Sequence, residues 1–447
     1  MKTKQEAILE QKLTARSASL RILNNFDERH ILDYGLANEL DGRDRARVRE
    51  HLQGLFRKRS YVDFLIGSFS HVPVIEMNGQ ILNVLRLGIY EMLFMDGTPD
   101  YAAINETVEL AKVEISAKTA DLVNAVMRSL QREMPNLPKP SMENRTELIA
   151  TTFSHPDWMV ERWVSRFGEK EAFLLMQANN AKPNHFIRVN NLKTRSENFE
   201  IRMEKAGVEF EASDWLPGYY KIDDLSTVLE KGWFEKGFCF VQDIAAAFAP
   251  TILDPQEDEI VYDLCSAPGM KAILMANMMN GTGSITAVDI NAKRLERLAE
   301  NALTFNAENI KIMRGDATDL SLKMADAVLL DAPCTGTGVL AKRADLRWKR
   351  TKEELDNIVK LQEDLLDEAA NLVKKGGRLV YSTCSIEPEE NMGQMEKFLA
   401  KYDNFELQAL DEFLDEDVLS EDLMSYQTLP HTHQCDGHFG VLLKRVK

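Results

Sequence analysis

The spacing of apolar residues divides the chain into regions with different predicted structure. From about residue 5 to residue 132, apolar residues recur three and four positions apart, most clearly in ILNVLRLGIYEMLF (81–94) and AAINETVELAKVEI (102–115). This period is typical of amphipathic helices, and the alternation typical of strands is missing. The three prolines of PNLPKPS (135–141) then predict a linker. We therefore expect an all-α helical bundle over residues 1–137.

Beyond the linker the predicted elements change type twice. Residues 142–245 mix helical segments with short apolar runs such as HFIRVNNL (185–192), which predicts a small α+β module. From residue 259, strand-like runs alternate with helical ones, and this order is typical of a parallel, doubly wound α/β sheet. The predicted strands are EIVYDL (259–264), GSITAVDI (283–290), IKIMRG (310–315), ADAVLLDA (325–332) and GRLVYSTC (377–384), with an edge strand in DGHFGVLLKRV (436–446). We expect a third domain over 246–447.

Composition agrees with a multi-domain globular chain. It has 447 residues, of which 44% are hydrophobic and 28% charged, and a chain of this length exceeds the size of a single core. No apolar run is long enough to span a bilayer, and the N-terminal segment has no apolar core of the kind found in secretory signals. We expect a cytoplasmic protein without membrane contacts.

The cysteine count argues against disulfides and structural zinc. Five cysteines are present, an odd number, and no two of them form the close CxxC pair that structural zinc sites use. The segment HTHQCDGHF (431–439) is rich in possible ligands but lacks further paired ones. We therefore expect no metal.

The net charge of −17 would disfavour a nucleic-acid partner if the charge were spread evenly. Basic residues are instead concentrated in Arg43, Arg45, Arg47 and Arg49, and again in the run Lys342–Arg350. Taken alone, each run is best interpreted as a solvated helix face; phosphate binding is the alternative that such a basic cluster allows.

A candidate nucleoside site follows the first predicted strand of the third domain. In DLCSAPGMK (263–271), Ala267, Pro268 and Gly269 predict a tight turn into a helix, at the sheet edge where ligands of α/β folds bind. Acidic residues end or follow the next strands: Asp289, Asp316 and Asp331. A single one could be a turn former, but three at one sheet edge favour a nucleoside pocket. The absence of GxGxxG disfavours NAD.

Two cysteines, Cys334 and Cys384, follow predicted strands on the same side of the sheet. A thiolate is a strong nucleophile, and polar turns at strand ends are where binding groups concentrate. The alternative, a small inert buried residue, is the interpretation we adopt for Cys239 and Cys435. Spacing alone does not decide which of the two polar-turn cysteines attacks a substrate.

The segments DLCSAPGMKA, DAPCTGTG and YSTCSIEPEEN resemble the motifs of the RsmB/Nop family of RNA cytosine-5 methyltransferases. The resemblance implies S-adenosyl-L-methionine as cofactor, Cys384 as the nucleophile that adds to carbon 6 of cytosine, and Cys334 as the residue that assists product release. Lys271 and Asp331 would assist in the pocket. Met270 and Ala272 depart from the family's usual Gly and Thr. The implied cofactor contacts are Cys265, Ser266, Ala267, Pro268, Gly269, Met270, Lys271, Asp289, Asp316 and Asp331.

Two further stretches resemble RNA-binding parts of such enzymes. HFIRVNNLKT (185–194) is similar to the start of the family's RNA-binding subdomain. Its Arg188, Asn190 and Lys193 are candidate phosphate contacts, or ordinary exposed residues.

The first 135 residues, with GRDRARVREHLQGLFRKR (42–59), resemble NusB, a helical RNA-binding bundle. This fusion is typical of bacterial RsmB (Sun) enzymes, which implies a Rossmann-like catalytic domain, a monomer, and cytosine 967 of 16S ribosomal RNA as substrate. The alternatives are a transfer RNA or DNA cytosine-5 methyltransferase, and a non-catalytic NusB-like assembly factor.

Overall fold

The computed structural model describes residues 13–26 and 32–447. The predicted helical region begins at about residue 5, so its first residues lie outside the described part of the chain. The chain forms two compact units. We call Met1–Ala181 with Leu340–Arg350 the helical unit, and Lys182–Val339 with Thr351–Lys447 the sheet unit.

The helical unit confirms the predicted all-α bundle. Polar side chains cap its helices: Thr14 and Ser17 form a reciprocal capping box at the start of the first, and Asp41 accepts from Asp44 N at the start of the second. One continuous apolar core, including Leu52, Leu85 and Val123, is buried between them. The helices are α1 (Ala15–Asn25), α2 (Gly42–Phe69), α3 (Gly79–Phe94), α4 (Asp100–Glu114), α5 (Ala117–Glu133), α6 (Arg145–Phe153) and α7 (Asp157–Asn180).

The segment Leu340–Arg350 packs inside the helical unit, although it is distant in sequence from the other residues of that unit. Arg347 is fully buried, and its guanidinium donates to Ser154 O (3.0 Å), Asn179 O (3.0 Å) and Asn180 Oδ1 (2.7 Å). Burial lowers the pKa of Arg347 to about 9. The prediction that this basic run offers surface charge is therefore wrong for Arg347, which is an internal anchor.

The sheet unit begins with a small antiparallel sheet, which confirms the α+β module. Its strand order is β2-β3-β1-β4, and the central strand pairs Ile187 with Tyr220 on one side and with Val241 on the other. The elements are β1 (His185–Val189), α8 (Ser196–Lys205), β2 (Phe210–Ala212), β3 (Tyr219–Ile222), α9 (Ser226–Glu230) and β4 (Cys239–Val241).

The rest of the sheet unit is the predicted doubly wound α/β domain. Strand order is β10-β12-β9-β8-β5-β6-β7, with β11 paired to β12; neighbours from β9 to β7 are parallel and the remaining pairs antiparallel. The strands are β5 (Ile260–Leu264), β6 (Ser284–Asp289), β7 (Ile310–Arg314), β8 (Ala325–Asp331), β9 (Val373–Thr383), β10 (Phe405–Gln408), β11 (Tyr426–Gln427) and β12 (Phe439–Arg445). The helices of nine residues or more are α10 (Ala245–Leu253), α11 (Met270–Met278), α12 (Ala292–Thr304), α13 (Lys352–Leu372) and α14 (Met392–Lys401).

The buried faces of this sheet explain the near-continuous apolar runs read from the sequence, since parallel strands are covered on both sides. Val328, Leu330 and Leu379 pack in one core and Ala327, Leu329 and Val380 in the other. Across residues 13–26 and 32–447, none of the helices has the length and apolar character needed to cross a membrane.

Candidate active site

The two singled-out cysteines meet at the carboxyl ends of neighbouring parallel strands. Strands β8 and β9 are in register with Asp331 opposite Ser382, so the turns that follow them lie side by side. Cys384 comes directly after β9 and Cys334 three residues after β8. Their Sγ atoms are 3.1 Å apart, neither cysteine forms a disulfide, and both are partly exposed. The structure thus brings together the cysteines that the sequence placed on one sheet edge.

The surroundings favour the neutral thiol of Cys334. Its hydrogen bond with Cys384, its burial and the negative charges of Glu390 and Asp331 together raise the pKa of Cys334 well above its usual range. A thiol that holds its proton can donate a weak hydrogen bond. Cys334 is therefore a neutral thiol in contact with the sulfur of Cys384.

A lysine and a carboxylate lie beside the cysteines. Lys271 Nζ and Asp331 Oδ2 are 2.5 Å apart, and Ser382 Oγ donates to Asp331 Oδ1 at 3.0 Å. Burial raises the pKa of Asp331, but the Lys271 ammonium and the other donors outweigh it, so the pKa is below its usual value. Asp331 is thus an ionised acceptor at the mouth of the site.

Glycines bring a third loop against the cysteine-bearing loops. Gly338 N donates to Cys384 O at 3.0 Å, and Gly437 N donates to Gly338 O at 2.8 Å. A Cβ on Gly338 would lie 2.0 Å from Gly437 O, so no larger side chain fits this backbone contact. The sequence segment around Gly437, which could have suggested a metal site, instead supports the cysteine loops. Within residues 13–26 and 32–447, no group of three or more His, Cys, Asp or Glu is arranged to hold a metal ion.

The turn after β5 has the predicted tight shape. Gly269 has φ +93°, a conformation that favours glycine, and a Cβ there would lie 2.5 Å from Leu298 Cγ. Helix α11 begins at the next residue, Met270, whose side chain packs against the core. Ala272 is fully buried. The two departures from the motif are therefore accommodated without a second glycine.

Asp289 lies at the end of β6, opposite that turn. Its Oδ2 accepts from Ala267 N at 3.1 Å and its Oδ1 from Asn291 N at 2.8 Å. Arg294 Nη1 lies 3.4 Å from Oδ2. The carboxylate is thus held beside the turn, at the strand end where the sequence analysis placed it.

A further buried acid, Asp263, lies at this edge and was not singled out from the sequence. Its Oδ2 accepts from Ser266 Oγ at 2.6 Å, and burial raises the pKa of Asp263 to about 7. Burial also raises the pKa of the Cys265 thiol to about 12, helped by the charges of Asp289 and Asp331. Cys265 is therefore a neutral thiol in this pocket.

The structure places the other predicted residues unevenly. Asp316 is exposed and accepts from the main chain and hydroxyl of Thr318 in its own turn (3.0 and 2.8 Å), which is the behaviour of a turn former. Arg188 and Asn190 are buried, so the prediction that they contact phosphates is wrong for these two. Lys193 is partly exposed.

Burial of Arg188 and Asn190 has a structural reason. Asn190 Nδ2 donates to Gly237 O at 2.8 Å and to Phe305 O at 2.9 Å, which ties the small sheet to the α/β domain inside the sheet unit. The Arg188 guanidinium lies over the Phe240 ring, 3.7 Å from its centroid. Both side chains are internal supports.

Sequence reasoning also missed the residues that hold the cysteine loops. Glu390 and Asn391 are buried, and Asn391 bonds Thr383 Oγ1 (2.7 Å) and Ser385 O (2.9 Å), the residues on either side of Cys384. Both residues belong to the segment YSTCSIEPEEN, whose resemblance to a family motif was the available signal. Nothing in the segment indicated which of its acidic residues are buried.

Comparison with known proteins agrees with this geometry. Family models match residues 250–444 ("16S rRNA methyltransferase RsmB/F"), 13–132 ("NusB family") and 155–224 (a ferredoxin-like domain of RsmF/B-like methyltransferases). A Bacillus subtilis protein named probable ribosomal RNA small subunit methyltransferase B is 31% identical over 413 residues, covering 90% of this chain and 91% of the relative. A Synechocystis protein of the same name is 30% identical, covering 97% and 100%. The chain belongs to the ribosomal RNA small subunit methyltransferase B family.

A solved structure, PH0851, extends the likeness to the whole architecture. It superposes with a TM-score of 0.80 at 26% identity, covering 97% of this chain and 100% of that one. The NusB-like bundle, the ferredoxin-like module and the Rossmann-like domain are therefore established as the fold of this methyltransferase.

S-adenosylmethionine is the cofactor of this methyltransferase, and the residues at the β5 and β6 ends fit it. The fixed carboxylate of Asp289 is the acceptor that vicinal ribose hydroxyls need at the end of a second strand. The Ala267–Gly269 turn brings main chain to the same place. The buried acid Asp263, whose pKa burial raises to about 7, lies on β5 just before this turn.

Proposed function

We propose that this chain transfers the methyl group of S-adenosylmethionine to carbon 5 of a cytosine in 16S ribosomal RNA, cytosine 967, through a covalent adduct with Cys384. The observation that carries the proposal is the 3.1 Å contact between the Cys334 and Cys384 sulfurs at neighbouring strand ends. The family to which the chain belongs supports the choice of ribosomal RNA.

The chemistry explains why two thiols are needed. Carbon 5 of cytosine is a poor nucleophile until a thiolate adds to carbon 6 and pushes electrons into the ring. We assign this addition to Cys384. The cofactor, when bound, supplies an electrophilic methyl group. Carbon 5 then carries both the methyl group and a proton. A base takes that proton, the electron pair restores the double bond between carbons 5 and 6, and Cys384 leaves carbon 6 as a thiolate. We assign assistance of this release to Cys334.

Asp331 and Lys271, which lie beside the two cysteines, have a complementary task. Asp331, as an ionised carboxylate, accepts hydrogen bonds from the polar edge of the cytosine, and Lys271 holds Asp331 in place and stabilises charge that develops in the ring. The cofactor contacts are assigned to the loop Cys265–Lys271 and to Asp289, with Asp316 at the rim.

Covalent trapping tests the chemistry. Cys334→Ala incubated with RNA and cofactor accumulates a complex that survives denaturation, because release is impaired. Cys384→Ala forms neither this complex nor methylated product. The opposite pattern, with the trapped complex in Cys384→Ala, contradicts the assignment.

The substrate is proposed from the modules that precede the catalytic domain. Residues 1–137 and 142–245 bind RNA, and residues 246–447 carry out the reaction on an unstacked base, which a single-stranded region supplies most cheaply. Bisulfite sequencing of ribosomal and transfer RNA from a deletion strain tests this. Loss of one 5-methylcytosine from 16S RNA supports the proposal. Loss from transfer RNA alone points to the alternative substrate, and no loss points to a non-catalytic assembly factor.

A further inference from the structure

One buried carboxylate connects the two cysteine loops. Glu390 Oε1 accepts from the main-chain N–H of Thr335 at 2.8 Å, and its Oε2 accepts from the hydroxyls of Thr335 and Ser385. Thr335 directly follows Cys334, and Ser385 directly follows Cys384. The same side chain is thus bonded to the neighbour of each catalytic sulfur, across 50 residues of sequence.

The environment of Glu390 calls for a carboxylate. The side chain is fully buried, and Gln362 of α13 donates a further hydrogen bond to Oε1 at 3.1 Å. A carboxylate accepts at both oxygens and donates nothing, so it satisfies four donors at once. An amide of the same length would direct an N–H group at two hydroxyls that now donate. Unpaired donors in a buried site are costly, so the network favours a single arrangement.

Two other buried polar residues of this network, Asn391 and Gln362, act on one loop each. Asn391 bonds the residues on either side of Cys384, Thr383 and Ser385. Gln362 donates to Pro333 O at 2.9 Å, directly before Cys334. Glu390 combines these tasks because both of its oxygens accept from Thr335 and Oε2 also accepts from Ser385.

We propose that Glu390 is a positioning residue that sets the distance and orientation of the Cys334 and Cys384 sulfurs. This inference rests on the proposed function in that both sulfurs must take part in one catalytic cycle. Glu390 is fully buried and acts on the sulfurs through Thr335 and Ser385. Its negative charge also contributes to the raised pKa of the Cys334 thiol.

The catalytic test uses two variants and one control. E390D keeps the charge but shortens the side chain by one methylene, so it cannot reach both loops. E390Q keeps the length and loses acceptors. E389Q changes the neighbouring acid, which is exposed. We expect E390D to lower kcat on the order of 100-fold, the cost of a misplacement of about 1 Å, with KM for RNA unchanged. E390Q lowers kcat less, and E389Q behaves as the wild type.

A wild-type kcat in E390D overturns the proposal, and so does a rise in KM that matches the fall in kcat, because that pattern indicates general damage. Circular dichroism verifies folding of each variant. If E390D does not fold, E390Q decides: a wild-type kcat there overturns the proposal as well.

A second measurement reads the sulfur spacing without RNA or cofactor. Phenylarsine oxide condenses with two thiols, losing water and forming two As–S bonds, and does so tightly only when the sulfurs are close together. The wild type and E389Q bind one equivalent, and Cys334→Ala and Cys384→Ala do not. E390D binds it more weakly. Unchanged binding in E390D overturns the positioning role.

The two proposals fail in different ways. If the wild type binds the arsenical and E390D does not, but Cys334→Ala traps no RNA, the proposed covalent mechanism is wrong and the positioning role of Glu390 stands. If trapping succeeds and E390D binds the arsenical normally, the covalent mechanism stands and the role of Glu390 is wrong.

Discussion

The variant Arg347→Met tests whether Arg347 is an internal anchor of the helical unit or a contact to RNA phosphate. Methionine keeps the unbranched stem of Arg347 and removes the guanidinium that bonds Ser154 O, Asn179 O and Asn180 Oδ1. Each buried acceptor left without a donor costs about 1–3 kcal/mol, so the three together cost roughly 3–9 kcal/mol. Burial of the charged guanidinium is itself unfavourable, as the lowered pKa of Arg347 shows. Removing this charge offsets part of the cost. We therefore expect a net loss of about 3 kcal/mol in the helical unit.

Thermal unfolding followed by circular dichroism measures this loss. For a unit of this size, a loss of about 3 kcal/mol corresponds to a fall in Tm of roughly 6–12 °C. The control is Arg43→Met, which removes an exposed arginine of α2 and leaves Tm unchanged. RNA affinity measured on the folded Arg347→Met protein keeps the salt dependence of the wild type. An unchanged Tm combined with a flatter salt dependence refutes the reasoning, since it would show that Arg347 meets phosphate.

Three further outcomes are expected. Gly338→Ala abolishes methylation of RNA while the protein remains folded, because its Cβ would meet Gly437 O at 2.0 Å; full activity contradicts the loop packing. The double variant Arg43→Ala/Arg49→Ala removes two exposed side chains and lowers RNA affinity. In a salt titration, the slope of the logarithm of the RNA association constant against the logarithm of the salt concentration falls in magnitude by about 1 for each arginine lost. An unchanged slope excludes these side chains as phosphate contacts. Burial raises the pKa of Asp263 to about 7, so its contribution to stability is complete below pH 4 and is lost as pH rises through 7. In urea unfolding, Asp263→Asn is therefore more stable than the wild type at pH 8 but not at pH 4. A variant as stable as the wild type at both pH values contradicts this.

Much of the architecture could be predicted because the apolar runs are distinct. The helical period of 81–94 and the buried strands before Asp289, Asp331 and Cys384 identify both domain types, and parallel strands bring their carboxyl ends to one edge. The meeting of Cys334 and Cys384 follows from that rule. Their separation of 3.1 Å does not, because it depends on turns and side chains that strand periodicity leaves undetermined.

The incorrect predictions share a cause, which is that a polar residue was taken as exposed. Arg188, Asn190 and Arg347 occur in polar or basic sequence, yet all three are buried, with partners that are distant in sequence for Asn190 and Arg347. In EPEEN, the local sequence gives equal weight to neighbouring acids, but the structure exposes Glu389 and buries Glu390. Only the tertiary fold distinguishes them.

The central claim is that Cys384 forms the bond to carbon 6, and a modified substrate tests it directly. A 16S RNA fragment carrying 5-fluorocytosine at the target position has no proton to lose from carbon 5, so the enzyme cannot be released after methyl transfer. Peptide mapping of the trapped complex by mass spectrometry then identifies the attached residue. The account predicts a nucleotide linked to the peptide that contains Cys384. A nucleotide linked to Cys334, or no covalent complex with a fragment that the enzyme methylates in its unmodified form, would contradict it.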